Sequence, residues 1–222
     1  MRLLLIRHGQ TPDNVEGVLG TVAPGVGLTD LGRRQADALP AALADESIGA
    51  LAVSTLVRTQ LTAAPLAAAT GLTRTVLDGL REVRAGDLEG RNDVEAVTDY
   101  VGCVFAWAAG DLGVRVPGSE DGHEFFGRYD AALAELLTTG ERGGHGTVAA
   151  VSHGAAIRAW VGARAVNADD EFIRHHLLEN TGVVTLEGTI DRGWRLQTWQ
   201  GLPVGGAELL DVDAPDPTGE RY

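Results

Sequence analysis

Arg7 and His8 stand side by side at the end of the apolar run Leu3-Leu4-Leu5-Ile6, and Gly9 follows them. A second apolar run, 147–151, ends in Ser152-His153-Gly154. Ser54 closes the run at 50–53, and Arg58 lies four residues on; Glu82 follows a short stretch at 74–77. Two arginines and two histidines in one place make a poor core but a good cradle for a dianion. The planar guanidinium fork matches phosphate oxygens. Like-charge repulsion from the arginines lowers the pKa of His8. A neutral imidazole keeps a lone pair and can attack phosphorus. Arg7, Arg58 and His153 would then neutralise the equatorial oxygens of the transferring group. The departing alkoxide needs an acid, and Glu82 is a candidate. A carboxylate beside a bound phosphate dianion holds a proton near neutral pH. Glu89 and Glu95 are nearby alternatives for that role.

These groups are far apart in sequence, so strands and helices must bring them together. Residues 2–6, 50–53, 74–77 and 147–152 read as short strands, buried where the run is continuously apolar. "GVVTLEG" and "WRLQTWQ" alternate and read as a hairpin or neighbouring strands. Thr29 or Asp30 caps a helix through "LGRRQADALPAALA", which Pro40 is expected to kink at a cost of about 3 kcal/mol. "LVRTQLTAAPLAAAT" reads as a helix stopped by Gly71, and 92–109, 119–139 and "AAIRAWVGARA" as three more. Strands alternating with helices predict an α/β sheet covered on both faces. Such sheets bind ligands outside the carboxyl ends of their strands, where all four polar groups would meet. One domain is expected over residues 1–202, with an insertion at about 86–122. Residues 203–222, rich in Gly, Asp and Pro, read as a loosely attached acidic tail.

Composition removes whole classes of function. The 222-residue chain has a net charge of -13, which disfavours nucleic acid or an anionic membrane as a general partner. All 18 basic residues are arginine, so no Schiff-base, pyridoxal or P-loop lysine exists. Cys103 is the single cysteine; no intrachain disulfide is possible, and its apolar setting argues against a nucleophile. No apolar stretch reaches the length of a membrane span, and the N-terminus lacks a signal-peptide pattern, so a cytoplasmic setting is expected. Several other polar residues have plain readings. Ser152 lacks the G-x-S-x-G elbow of a serine nucleophile. His175 and His176 are adjacent, without the i, i+4 spacing of a helical metal site. Asp169, Asp170 and Glu171 suit an acidic first helical turn. His123 and Glu124 follow "PGSED" and lie where they could border a substrate.

The blocks "LLLIRHGQTPDNVEGVLG", "LTDLGRRQADAL", "VSTLVRTQLTAAPLA", "LREVRAGDLEG" and "VSHGAAIRA" together resemble the histidine phosphatase superfamily, the phosphoglycerate mutase-like proteins. They occur in that family's order from residue 3 to about 160, and "NTGVVTLE" is similar to its late strand. The resemblance implies a three-layer α/β/α sandwich with a mostly parallel sheet and a phosphohistidine mechanism without metal or cofactor. It places the nucleophile on His8, the proton donor on Glu82, and the phosphate pocket on Arg7, Arg58, His153 and Asn14. Substrate contacts fall near Gly20 and Thr21, where this chain has "LGTV" instead of the family's Gln-Gly or Ser-Gly pair. Pro40 and Asp87-Leu88-Glu89 are further departures from the pattern.

Family members are mutases or phosphatases. A mutase needs extra basic groups for the second anionic end of a phosphoglycerate. The insertion offers only Arg91 and Arg115, so a phosphatase acting on a small phosphorylated metabolite is the expected activity. A phosphoglycerate mutase and a catalytically silent phosphate-binding module are the alternatives. The apolar strands near 183–199 are compatible with a homodimer.

Overall fold

The computed structural model describes residues 1–218. Six strands form one sheet: β1 (Arg2–Arg7), β2 (Ile48–Val53), β3 (Arg74–Val76), β4 (Thr147–Ser152), β5 (Val183–Thr189) and β6 (Gly193–Gln200). Their order is β3-β2-β4-β1-β5-β6. The pairs β1–β4, β2–β4 and β2–β3 are parallel, while β5 runs antiparallel to both β1 and β6. Seven helices accompany them: α1 (Pro12–Glu16), α2 (Asp30–Ala42), α3 (Val57–Thr70), α4 (Val94–Ala108), α5 (Gly122–Arg142), α6 (Gly154–Arg164) and α7 (Asp170–His175). This is the expected three-layer α/β sandwich. Among the described residues no helix is long and apolar enough to cross a membrane.

The continuous apolar runs are explained by cover on both faces. Leu3 and Leu5 share one core with Ala50, Ala52, Val148 and Ala150, closed by Tyr100, Trp107, Phe125, Leu133 and Trp160 of α4, α5 and α6. Leu4 and Ile6 share the other with Leu51, Val53, Ala149 and Val151, closed by Leu39, Ala63 and Leu66 of α2 and α3. Successive strand residues point to opposite faces, so every position must be apolar until the strand leaves the core. It leaves at Arg7 and His8.

Local signals set the helix ends. Thr29 caps α2 by accepting from the Gly32 amide, and Gly71 ends α3 with φ +71°. The helix α2 runs through Pro40 and stops two residues later. The ring removes the amide that would donate to the Ala36 carbonyl, and the helix closes within the next two residues. The insertion is tied down rather than loose: Tyr100 of α4 donates to the Val83 carbonyl at 2.8 Å, beside Glu82.

The tail departs from expectation. Its described part packs on the body, with Val204, Leu209 and Ala214 buried. Gln35 donates to the Leu209 carbonyl at 2.8 Å and Gln10 to Asp211 at 2.7 Å. Asp216, near its end, is 3% exposed. The segment is held by buried apolar side chains, by hydrogen bonds from two glutamines, and by the Asp216 carboxylate on Arg7. A Gly/Asp/Pro composition carries no periodicity that would announce it. Residues 219–222 of the expected tail lie outside the described residues.

Leu5 is fully buried in the central strand. Leu5→Ala should lower the unfolding free energy by about 3 kcal/mol, read as a lower urea midpoint. An unchanged midpoint would contradict this packing.

Candidate active site

The carboxyl ends of β1, β2 and β4 bring most of the expected residues to one pocket, while Arg7 and His153 are fully buried next to it and are not among its lining residues. His8, Asn14, Gly20, Thr21, Arg58 and Glu82 all line it. Arg7, Arg58, His8, Glu82 and His153 are each under 5% exposed. The His8 and His153 rings lie 5.2 Å apart, edge to face.

The amide of His8 is held by the Ser152 carbonyl at 3.0 Å, which locks β1 to β4 at the site. Its Nδ1 lies 2.8 Å from the Gly9 carbonyl. A carbonyl only accepts, so Nδ1 carries the proton and Nε2 keeps its lone pair. Burial, then Arg58 and Arg7, push the imidazole pKa well below the usual 6.5. The arginines act as expected, but removal from water is the larger cause. Gly9 has no room for a side chain: a Cβ would stand 2.6 Å from the Gly32 carbonyl oxygen.

The partners of His153 fix its protonation. Arg58 Nε donates to Nδ1 at 3.3 Å, and Nε2 lies 2.8 Å from Ser54 Oγ. A guanidinium has no lone pair to offer, so Nδ1 is the acceptor and Nε2 carries the hydrogen. Burial and Arg58 lower this pKa as well. In this state both nitrogens are engaged, and His153 presents no free N–H to the pocket. Arg58 also donates to the Gly20 carbonyl at 3.1 Å.

Glu82 is 1% exposed, at the start of α6. Oε1 accepts from the Val83 and Ala156 amides at 2.9 and 2.8 Å, and Oε2 from Ala155 at 3.3 Å. The first amides of a helix favour a carboxylate. Burial outweighs them and raises the pKa. The result is a carboxyl that retains its proton above the usual range and is positioned by three backbone donors. Of the two alternatives, Glu89 is committed elsewhere, accepting from the Thr21 and Val22 amides and the Thr21 hydroxyl. Glu95 sits exposed in the first turn of α4.

The remaining assignments divide. Asn14 Oδ1 accepts from the Thr11 amide and hydroxyl, which directs Nδ2 to Asp216 Oδ1 at 3.0 Å. The Thr21 hydroxyl donates to Glu89 at 2.5 Å and accepts from the Ala85 amide at 3.0 Å, so it builds the pocket wall. Glu124 closes a capping box on α5, with Asp121 as the cap, and neither it nor His123 lines the pocket. Ser152 is structural, linking Tyr129 to the Leu80 carbonyl. His176 stacks on Phe172 at 3.8 Å.

Several contributors were missed in the sequence. Thr62 accepts from the Gly9 amide at 2.9 Å, and Asn180 donates to the His8 carbonyl at 3.1 Å. Asp216 grips Arg7 with both oxygens, at 2.5 and 2.6 Å. Asn180 opens the quoted "NTGVVTLE" block and was within reach; nothing local marks Thr62 or Asp216.

Taken together, the pocket holds an uncharged imidazole with a bare nitrogen, the buried Arg58 guanidinium with Arg7 buried next to the site, and a carboxyl whose pKa burial raises. Such a set can attack phosphorus, offset the charge on its oxygens and protonate a leaving group.

Comparison with known proteins shows the family of the chain. A PE-PGRS family protein of Mycobacterium tuberculosis is 36% identical over 221 residues, 92% of this chain and 37% of that protein, so the chain spans little more than a third of that relative's length. The glucosyl-3-phosphoglycerate phosphatase of Mycolicibacterium vanbaalenii is 30% identical, covering 89% of this chain and 93% of its own. A solved structure of mycobacterial glucosyl-3-phosphoglycerate phosphatase superposes with a TM-score of 0.74 at 27% identity, covering 90% of this chain and 98% of that one. The family model for the histidine phosphatase superfamily, branch 1, matches residues 3–201. The chain belongs to the histidine phosphatase superfamily.

Proposed function

We propose that this protein is a phosphomonoesterase that hydrolyses a small phosphorylated metabolite through a phosphohistidine on His8. The observation that carries this reading is the Nδ1 contact of His8 with the Gly9 carbonyl. It leaves Nε2 unprotonated in a pocket it shares with Arg58 and Glu82. In the first step Nε2 attacks phosphorus in line and the P–O ester bond breaks. Glu82 gives its proton to the departing alkoxide. In the second step water attacks the phosphohistidine, Glu82 takes a proton from it, and the N–P bond breaks to release phosphate and His8. Arg7 and Arg58 balance the charge on the phosphoryl oxygens throughout, with Asn14 Nδ2 as a further donor.

The leaving group would lie towards Thr21. A concavity of about 420 Å³ opens there, lined by Asp78, Arg81, Arg84, Asp87 and Glu89 among others. A wall of mixed charge suits a leaving group rich in hydroxyl or carboxylate oxygens. The similarity to glucosyl-3-phosphoglycerate phosphatases makes a phosphorylated sugar acid the first class to assay.

Hydrolysis of p-nitrophenyl phosphate in EDTA, with acid-labile phosphate trapped on the protein, tests the reading. His8→Ala should lose at least about 10³-fold in kcat with an unchanged circular dichroism spectrum. Retention of a few per cent of activity would refute the nucleophile. In kcat/KM, which reports phosphorylation of His8, Glu82→Gln should slow alkyl phosphates roughly 10²-fold or more while sparing the nitrophenyl ester, whose leaving group departs unprotonated; kcat should fall for both, because Glu82 also takes the proton from water. Equal losses in kcat/KM on both would point to another acid.

The pH profile follows from the two shifted groups. The reactive form has His8 neutral and Glu82 protonated. Falling pH removes it only at the lowered pKa of His8, so the acid limb of kcat/KM lies below the usual 6.5. Rising pH removes it at the raised pKa of Glu82, so an alkaline limb appears for alkyl phosphates. That alkaline limb should vanish in Glu82→Gln; its persistence would assign it elsewhere.

A further inference from the structure

We propose that the C-terminal segment is a self-inhibiting strap whose Asp216 carboxylate stands in the phosphate position and must leave before a phosphoester binds. The proposal rests on the phosphate-binding reading of the pocket given above. Asp216 takes Arg7 in a two-pronged fork, Oδ1 on Nη2 at 2.5 Å and Oδ2 on Nη1 at 2.6 Å. Oδ1 also accepts from Asn14 Nδ2 at 3.0 Å. Arg7 and Asn14 are two of the groups that the sequence assigned to phosphate oxygens, and the carboxylate makes the contacts a phosphate would make. The fork geometry is the one guanidinium uses for either anion.

The rest of the strap is fitted to the same place. The Asp216 amide donates to the Asn14 carbonyl at 3.2 Å, and Thr218 Oγ1 accepts from Arg7 Nη2 at 2.9 Å. The strap crosses the start of α6 at Gly154, where a Cβ would stand 2.8 Å from the Thr218 carbonyl oxygen. Pro217 and Thr218 line the catalytic pocket. What they leave is a cavity of about 20 Å³, room for roughly one water. A phosphate dianion with its ester group cannot enter beside the strap.

The strap is also built to be displaced. It uses Arg7 and Asn14, while Arg58 stays on His153 and the Gly20 carbonyl. A phosphate dianion brings a second negative charge and can engage Arg58 as well. Asp216 itself has φ +23°, a positive value uncommon outside glycine, so the closed backbone is held against its preference. The anchor lies upstream, at the Gln35–Leu209 and Gln10–Asp211 contacts, which leaves 212–218 as the segment that moves.

The test is affinity for inorganic phosphate, measured by calorimetry on the full chain. A strap closed about nine-tenths of the time weakens apparent affinity about tenfold. Asp216→Asn and Asp216→Ala should therefore bind phosphate about tenfold tighter than the native chain, with KM for p-nitrophenyl phosphate lowered in proportion. If Asp216 served only to position Arg7, both variants would bind phosphate more weakly; that result, or no change, overturns the proposal. In the native chain, saturating phosphate should speed hydrogen exchange of the amides at 212–218. Unchanged exchange there also overturns it, even if the variants fold poorly. Phosphate binding needs no turnover, so a chain that binds phosphate as described but hydrolyses no ester refutes the enzymatic reading and leaves the strap standing.

Discussion

Two guanidiniums taken out of water at the end of a parallel sheet govern the rest of this structure. A buried charge costs several kcal/mol unless something answers it. Arg7 is answered by Asp216 and the Leu178 carbonyl. Arg58 donates to neutral groups, the His153 ring and the Gly20 carbonyl, with the Asp13 carboxylate acting through space. Burial accordingly lowers the pKa of Arg58, whereas Asp216 offsets burial at Arg7 and raises it. The pocket thus holds unspent attraction for an anion, concentrated at Arg58. Burial, with the same field added, keeps both histidines neutral.

The backbone supplies what the charges cannot. Parallel strands end together, so β1, β2 and β4 place Arg7, His8, Ser54 and Ser152 at one edge without any loop having to reach. The start of α6 satisfies Glu82 rather than a ligand, which separates the acid from the phosphate cradle. Each helix terminus answers one anion. Here it orients Glu82 and leaves Arg7 and Arg58 to other partners. Tyr100 pins the insertion to Val83, so the position of Glu82 depends on packing in α4 as well as on its own strand end.

Much of this was legible in the chain because the relevant signals are local. The runs at 2–6, 50–53 and 147–152 are continuously apolar for a reason visible in one dimension: both faces are covered. Arg7-His8 and Ser152-His153 mark where those runs leave the core. Thr29 and Gly71 announce helix ends through backbone chemistry confined to a few residues. The illegible parts are long-range. Asp216 lies 209 residues from Arg7, in a segment without period or motif, and only the three-dimensional charge balance places it. The tautomer of His153 depends on Arg58, 95 residues away. Thr21 carries a hydroxyl that looks available until Glu89 claims it.

The His153 hydrogen bonds add a constraint on how a phosphoryl group is received. Arg58 holds His153 through Nε and the Gly20 carbonyl through Nη2, so a dianion that drew Nε away would release Nδ1 of His153. Once freed, that nitrogen faces a dianion in place of a guanidinium, and both changes favour its protonation. Ser54 holds Nε2 throughout and so fixes the ring while its charge changes. Arrival of the dianion would then convert His153 from an acceptor for Arg58 into a second cationic donor beside the phosphoryl oxygens. On the proposed reading, the pocket would gain its last positive charge only with the dianion present. That order keeps His8 neutral, because a permanently charged His153 5.2 Å away would compete with it for the same electrostatic tolerance.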